Sequence, residues 1–211
     1  MQRRDLRPGV DDAIIRTLFT QTFCLGRPAQ FELPRSYVEL CLGWYLGPGA
    51  HEAGVVEHDG EVVGYALVCS DPQAHHRWVR RATTAFATRV APRFLRRDAT
   101  QLRGFARARL RDLRAVRAST LQPPMPVHAH LNIVSSQRSG SAAVLLRQHI
   151  DQRAHLAGAR GWFAEVNAPV GRRLQALERV VGPVTDRRLN HTLTWMTGEA
   201  VERLTVVRHL T

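Results

Sequence analysis

The sequence contains no lysine; all 30 of its basic residues are arginine, set against 18 acids for a formal charge of +12. An arginine-only, alanine-rich composition is what a GC-rich genome produces unaided, so the sign of the charge says more than the choice of residue. Cysteine is scarce as well. Cys24, Cys41 and Cys69 are an odd number without ligand-like spacing, which argues against a disulfide framework and supplies no metal-binding set, so a reduced cytoplasmic setting is expected. Long apolar runs are missing: nothing approaches the roughly 20 residues of a membrane span. The charged stretch 1–6 is followed by no apolar region, so no membrane association and no processing are expected. With 211 residues the chain can bury a core as a single domain, 1–211.

What is present is unevenly spread. The segment 72–126 holds 13 arginines against Asp98 and Asp112, a net of +11, and leaves 17 arginines against 16 acids elsewhere. Within it Trp78, Val79, Phe86, Val90, Phe94, Leu102, Phe105, Leu113 and Val116 recur at helical spacing, predicting two or three amphipathic helices with breaks at Pro92 and Asp98. As a functional surface this segment would attract an anionic ligand, such as nucleic acid or an acidic partner; otherwise it is a solvated helical face.

Before that segment, 6–9 reads as a short first strand and Asp11 or Asp12 as the cap of a helix running to about 23. Pro34 opens a second helix, with Tyr37, Leu40, Cys41 and Trp44 on one stripe. Asp59-Gly60 between two apolar runs marks a hairpin whose second strand reaches about Cys69. After the basic segment, 127–134 alternates strictly: Val127, Ala129, Leu131 and Ile133 are apolar, and His128, His130 and Asn132 fall on the other face. A run of small and polar residues, 135–141, then leads into a helical stripe through Ala143, Val144, Leu146 and Ile150. A strand that feeds a helix through small residues leaves backbone N–H groups at the positive end of the helix dipole, where a phosphate is favoured. Further on, 161–167 reads as a strand parallel to 127–134 and 170–180 as a helix. The segments 185–190 and 191–196 read as an antiparallel pair, and 201–210 alternates too poorly to assign.

The turn resembles the acyl-CoA-binding signature of the GNAT superfamily of N-acetyltransferases: Arg or Gln, two residues, Gly, one residue, then Gly or Ala. Two registers fit, Gln137-Gly140-Ala142 and Arg138-Ser141-Ala143. The second aligns His128, His130, Leu131 and Asn132 with a His-x-His-Ile-Asp run of some bacterial members. The element order over 6–69 and 127–196 is also the family's. What the resemblance implies is an α/β fold with a mixed central sheet flanked by helices, the Arg-rich helical segment 72–126 being an insertion before the central strand. It further implies acetyl-CoA, or another acyl-CoA, as cofactor and an amine as acceptor, the oligomeric state staying open, a dimer included.

Backbone of Ile133 or Val134 would stabilise the oxyanion. Gln137, Arg138, Ser139, Gly140, Ser141, Ala142 and Ala143 would hold the pyrophosphate, and backbone of Ala164-Glu165-Val166, with Asn167 after it, the pantetheine arm. His130, Asn132 and Glu165 are the candidates for proton handling. Departures from the pattern are Leu177, where the family often has a tyrosine acid, and Asn132, where the related run has Asp. They leave a non-catalytic acyl-CoA-binding protein as the alternative, with nucleic-acid binding as a third.

Overall fold

The computed structural model describes every residue except 28–30, 95–98, 119–124, 138–139, 172–173 and 211. In chain order its elements are β1 (Gln2–Asp5), α1 (Asp12–Phe23), α2 (Arg35–Leu42), β2 (Gly54–His58), β3 (Glu61–Cys69), α3 (Pro72–Phe94), α4 (Thr100–Ala118) and β4 (Val127–Ile133). There follow α5 (Gly140–Leu156), β5 (Gly161–Pro169), α6 (Gln175–Val180), β6 (Val184–Leu189), α7 (His191–Thr197) and β7 (Val201–His209). Seven strands form one sheet in the order β1-β2-β3-β4-β5-β7-β6, and all neighbours are antiparallel except β4 and β5.

The hairpin forms as its turn residues demand, Asp59 and Gly60 both adopting positive φ. The period-two pattern of β4 divides the molecule. Its odd-numbered residues pack with Leu146, Ile150 and Trp162 beneath α5, whereas the even-numbered face lies with Tyr65 and Leu67 under α1 and α2. On α5 the buried side chains are Ala142, Leu146, His149, Ile150 and Ala154, so the stripe is set one residue earlier than Ala143 and Val144 imply. Leu146 is fully buried.

The first strand lies at Gln2–Asp5 rather than 6–9. It is a charged edge strand, and arginines along it guard against pairing with another chain. Nor does Asp11 cap α1 with its side chain. The carboxylate is 2% exposed and accepts from Arg4 Nη1 at 2.6 Å, Arg4 Nη2 at 3.0 Å and the Arg7 amide at 2.7 Å, and the Arg4 guanidinium holds its pKa down to about 2.

The Arg-rich segment forms two helices, and Pro92 does not end the first, which runs to Phe94. Pro92 gives up the bond to the carbonyl four residues earlier and its ring crowds that carbonyl, yet the helix continues two residues past it. The largest correction concerns the C-terminal part. Residues 191–196 are a helix, capped by Asn190, whose side chain accepts from the Leu193 amide, and ended by Gly198 at φ 73°. The unassigned tail is β7, inserted between β5 and β6. Helix α6 is shorter than 170–180, covering Gln175–Val180.

Beside the packing of Phe105 on Trp195, one buried acid of helix α4 binds the start of α7. Asp112, 4% exposed, accepts from the amides of His191 and Thr192 at 2.8 and 3.1 Å and from the Thr192 hydroxyl. We expect Asp112→Ala to leave these donors buried and unsatisfied, costing roughly 3 kcal/mol in urea unfolding. A loss below about 0.5 kcal/mol would show that this contact does not hold α7 in place.

Candidate active site

Strands β4 and β5 pair only over Val127↔Trp162, His128↔Phe163 and Ala129↔Ala164. Beyond these, β4 is held on its other edge by β3 as far as Ile133, and β5 by β7 as far as Pro169. The two strands therefore part into a wedge, each kept extended by its outer neighbour. Backbone groups alternate in direction along a strand. The Val134 amide donates to the Val63 carbonyl at 3.0 Å, so odd-numbered Leu131 and Ile133 turn their N–H groups the other way, toward β5. Val134 is thus corrected as an oxyanion donor, its N–H being spent on β3, and Ile133 is the amide that faces the wedge. On β5 the same alternation turns Glu165 and Asn167 backbone toward β4.

At the wide end the chain makes a 3-10 turn over Ser135–Gln137, with the Gln137 amide donating to the Val134 carbonyl at 3.0 Å. Arg138 and Ser139 lie outside the described residues. Helix α5 then starts at Gly140, where an added Cβ would meet no heavy atom within 4 Å. Ser141 is exposed, Ala143 half-buried and Ala142 fully buried. Gly140 therefore begins a 17-residue helix with room at its own Cβ position, and an anion is favoured at such a helix start. Gln137 instead lines a cleft of about 350 Å³ on the α1 side, beside Leu18, Gln21, His58 and Ser136.

The even-numbered face of β4 carries the predicted polar residues, and each is tied to something. Asn132 Nδ2 donates to Tyr65 Oη at 2.6 Å, which fixes the amide. His128 stacks on Phe163 with ring centroids 4.7 Å apart and meets His130 edge-on at 4.4 Å. His130 in turn packs edge-on to Tyr45 at 5.6 Å, and Tyr45 lies 5.6 Å from His75 of α3. The buried atoms His128 Nε2 and Tyr45 Oη have no hydrogen-bond partner among the described residues.

Burial drives all three histidines toward the neutral form. It takes His130 down to about 4, against an opposing pull from the Glu165 carboxylate, and lowers His128 and His75 as well. Between about pH 6.5, the ordinary imidazole value, and about 4 the unfolded chain binds protons that native His130 refuses. Stability is therefore full at neutral pH and falls as pH drops through this window. We expect a loss of roughly 3 kcal/mol from pH 7 to 4, much reduced in His128→Asn/His130→Asn; an identical loss in that variant would assign acid sensitivity elsewhere.

Glu165 is not a free carboxylate. Oε1 accepts from Arg188 Nη2 at 2.8 Å and Oε2 lies 3.6 Å from Arg203 Nη1, while Asp186 sits 3.1 Å from Arg188 Nε. The Asn167 side chain accepts from Asn190 Nδ2 at 2.8 Å, joining β5 to the cap of α7 and leaving only its backbone to the wedge. Leu177 is half-buried among apolar side chains of two core clusters.

The sequence brings out His130, Asn132, Glu165 and the turn, but not Tyr45, His75, Tyr65, Arg188 or Arg203, which come from distant elements and carry no local signal. Among the described residues no three His, Cys, Asp or Glu side chains gather as a metal set, and no helix is long and apolar enough to cross a membrane.

This architecture matches solved structures over its full length. The yncA structure from Salmonella typhimurium, with its cofactor acetyl-CoA, superposes with TM-score 0.55 at 13% identity, covering 100% of this chain and 94% of that one. The polyamine N-acetyltransferase of Drosophila melanogaster gives 0.58 at 13% identity, over 99% of both chains. The ribosomal-protein-alanine N-acetyltransferase from Brucella melitensis gives 0.54 at 14% identity, over 100% of both. The chain has the GNAT fold. No family model matches the sequence, and no curated protein matches it. In GNAT terms, the mixed sheet with its parted central strands is the fold that the small-residue turn and the element order imply.

Proposed function

We propose that this GNAT-fold chain is an acyl-CoA-dependent N-acyltransferase, moving acetyl from acetyl-CoA to an amine. The observation that carries the reading is the wedge: inward-facing amides of Leu131 and Ile133 lead directly to the open helix start at Gly140. Gly140 and Ser141, with Arg138 and Ser139 before them, would hold the pyrophosphate; backbone of Glu165 and Asn167 would hold the pantetheine arm. The Ile133 N–H would donate to the thioester oxygen as negative charge develops there.

In the transfer the amine nitrogen bonds to the carbonyl carbon, the C–S bond breaks, and the sulfur leaves as thiolate. The amine's proton must go elsewhere. Neutral His130 is the acceptor facing this region; held at about 4, it takes the proton only transiently and passes it through water toward Glu165. Asn132, locked to Tyr65, positions and does not accept. A thiolate is a good leaving group, so the reaction does not depend on an acid at position 177, where Leu177 is committed to apolar packing. With its three cysteines unbridged, we place the enzyme in the cytoplasm.

Thiol release from acetyl-CoA, followed across a panel of primary amines, tests this. We expect amine-dependent release well above hydrolysis. Binding of acetyl-CoA without release on any amine would instead favour an acyl-CoA-binding protein, the reading that Leu177 and Asn132 support.

A further inference from the structure

We infer that the acceptor is an α-amino acid, its carboxylate held by Arg203 of β7 and Arg109 of α4 while its amine sits beside Glu165 and His130. The inference rests on the acyl-transfer reading and names its substrate class. Helix α5 covers the odd-numbered face of β4, so an amine reaches the thioester over the even-numbered face. On β5 and β7 that face continues through Asn167 and its directly paired neighbour Arg203, since paired residues point to the same side of a sheet. Arg203 rises one strand beyond the wedge and leans back toward it, Nη1 lying 3.6 Å from Glu165 Oε2. From the covering helices comes Arg109, its guanidinium carbon 5.6 Å from the centre of the Tyr37 ring. Burial raises the pKa of Tyr37 and of Cys41, and both guanidinium groups pull each of them back. The two cations thus act on the same two side chains of α2.

Unspent hydrogen bonding sets these two apart. Arg188 donates to Glu165 and Arg16 to Glu39, but the guanidinium groups of Arg203 and Arg109 donate to no described residue. Arg203 stands off Glu165, and Arg109 stands 3.8 Å off Asp112, whose oxygens already accept from α7. Their side chains are only 19% and 29% exposed. A half-buried guanidinium without an acceptor is the counterpart of a carboxylate, which it can hold through two parallel bonds.

Glu165 selects among anionic acceptors. An α-amino acid carries its positive and negative groups on one carbon, matching a carboxylate and a guanidinium that stand side by side. A polyamine would push its second cation against the arginines, and a phosphate-bearing amine would set a dianion against Glu165 and Asp186; both arrangements cost affinity. The N-terminus of a polypeptide has no carboxylate at this place. Transfer to such an acceptor forms the N–C bond of an N-acetyl amino acid and breaks the C–S bond. Of the two protons that the ammonium loses, one ends on the CoA thiolate and one in solvent.

The test uses the full chain, acetyl-CoA and a panel of α-amino acids, each beside its own carboxamide, with spermidine and 2-aminoethyl phosphate as further acceptors. We expect the best amino acid to exceed its carboxamide, and both other amines, by about tenfold or more in kcat/KM. Arg203→Gln and Arg109→Gln should each cut that acid-over-carboxamide ratio by about tenfold, a readout that a general loss of activity would not move. Arg203→Lys and Arg109→Lys keep the charge and should retain part of the ratio. Equal rates with acid and carboxamide, a preference for a carboxamide, spermidine or the phosphate, or an unchanged ratio in both Gln variants would overturn the inference. Release with no amine at all would instead remove the acyl-transfer reading. Calorimetric titration of the same pairs into the CoA-loaded chain then decides the present one: tighter binding of acid than carboxamide, lost in the Gln variants, sustains it, and equal binding or none overturns it.

Discussion

Replacing Gly140 by glutamate is expected to weaken acetyl-CoA binding about 100-fold or more, close to 3 kcal/mol, without harming the fold. The added Cβ meets nothing within 4 Å, and an acid in the first turn of a helix suits its dipole. The unliganded variant should therefore melt at or slightly above the wild-type temperature. The loss falls on binding alone, because a carboxylate would occupy the space and the charge that the pyrophosphate needs. Wild-type protein with acetyl-CoA at 100 times its dissociation constant should gain about 2.7 kcal/mol, or roughly 5–10 °C in Tm. The variant should gain almost nothing at the same concentration. Equal gains in both proteins would mean that the phosphates bind away from the start of α5.

Much of this site could be read from sequence where local rules act alone. Asp59-Gly60 can hardly be anything but a tight turn, and strict alternation from Val127 to Ile133 gives both faces of β4. Long-range packing overrides such rules elsewhere. Strand β7 does not alternate because Leu204, Thr205, Val206 and Val207 are all buried, as suits a strand paired on both edges and covered on both faces. Thr192, Thr194 and Trp195 gave 191–196 a strand-like look, yet its ends carried helix signals, Asn190 before and Gly198 after. Glu165 is visible as a polar residue on β5, but its arginine clamp is not: Arg188 and Arg203 reach it from β6 and β7, and β7 could not be assigned. The part of the turn at Arg138 and Ser139 lies outside the described residues.

His130→Ala should lower kcat by about 100-fold once an acceptor amine is in hand, with KM for acetyl-CoA little changed. The ring lies on the side of β4 that holds Tyr45 and His75, away from the α5 start. Added imidazole should restore part of the rate, which a merely space-filling ring would not allow. Glu165→Gln should cost less, about tenfold, because it loosens the Arg188–Glu165–Arg203 cluster around the wedge rather than removing the first proton acceptor. Leu177→Tyr should bring no gain, since that position is committed to apolar packing. Full activity in His130→Ala, Glu165→Gln and their double variant would leave this face with no part in the chemistry.

The most direct test of the central claim, that the wedge between β4 and β5 is an acyl-CoA site, is a crystal structure of the chain with acetyl-CoA. The account predicts the pyrophosphate against the amides of Gly140 and Ser141, the pantetheine arm between Leu131–Ile133 and Glu165–Asn167, and the thioester oxygen toward the Ile133 N–H. Acetyl-CoA bound elsewhere, with β4 and β5 closed on each other past Ala129 and Ala164, would contradict it.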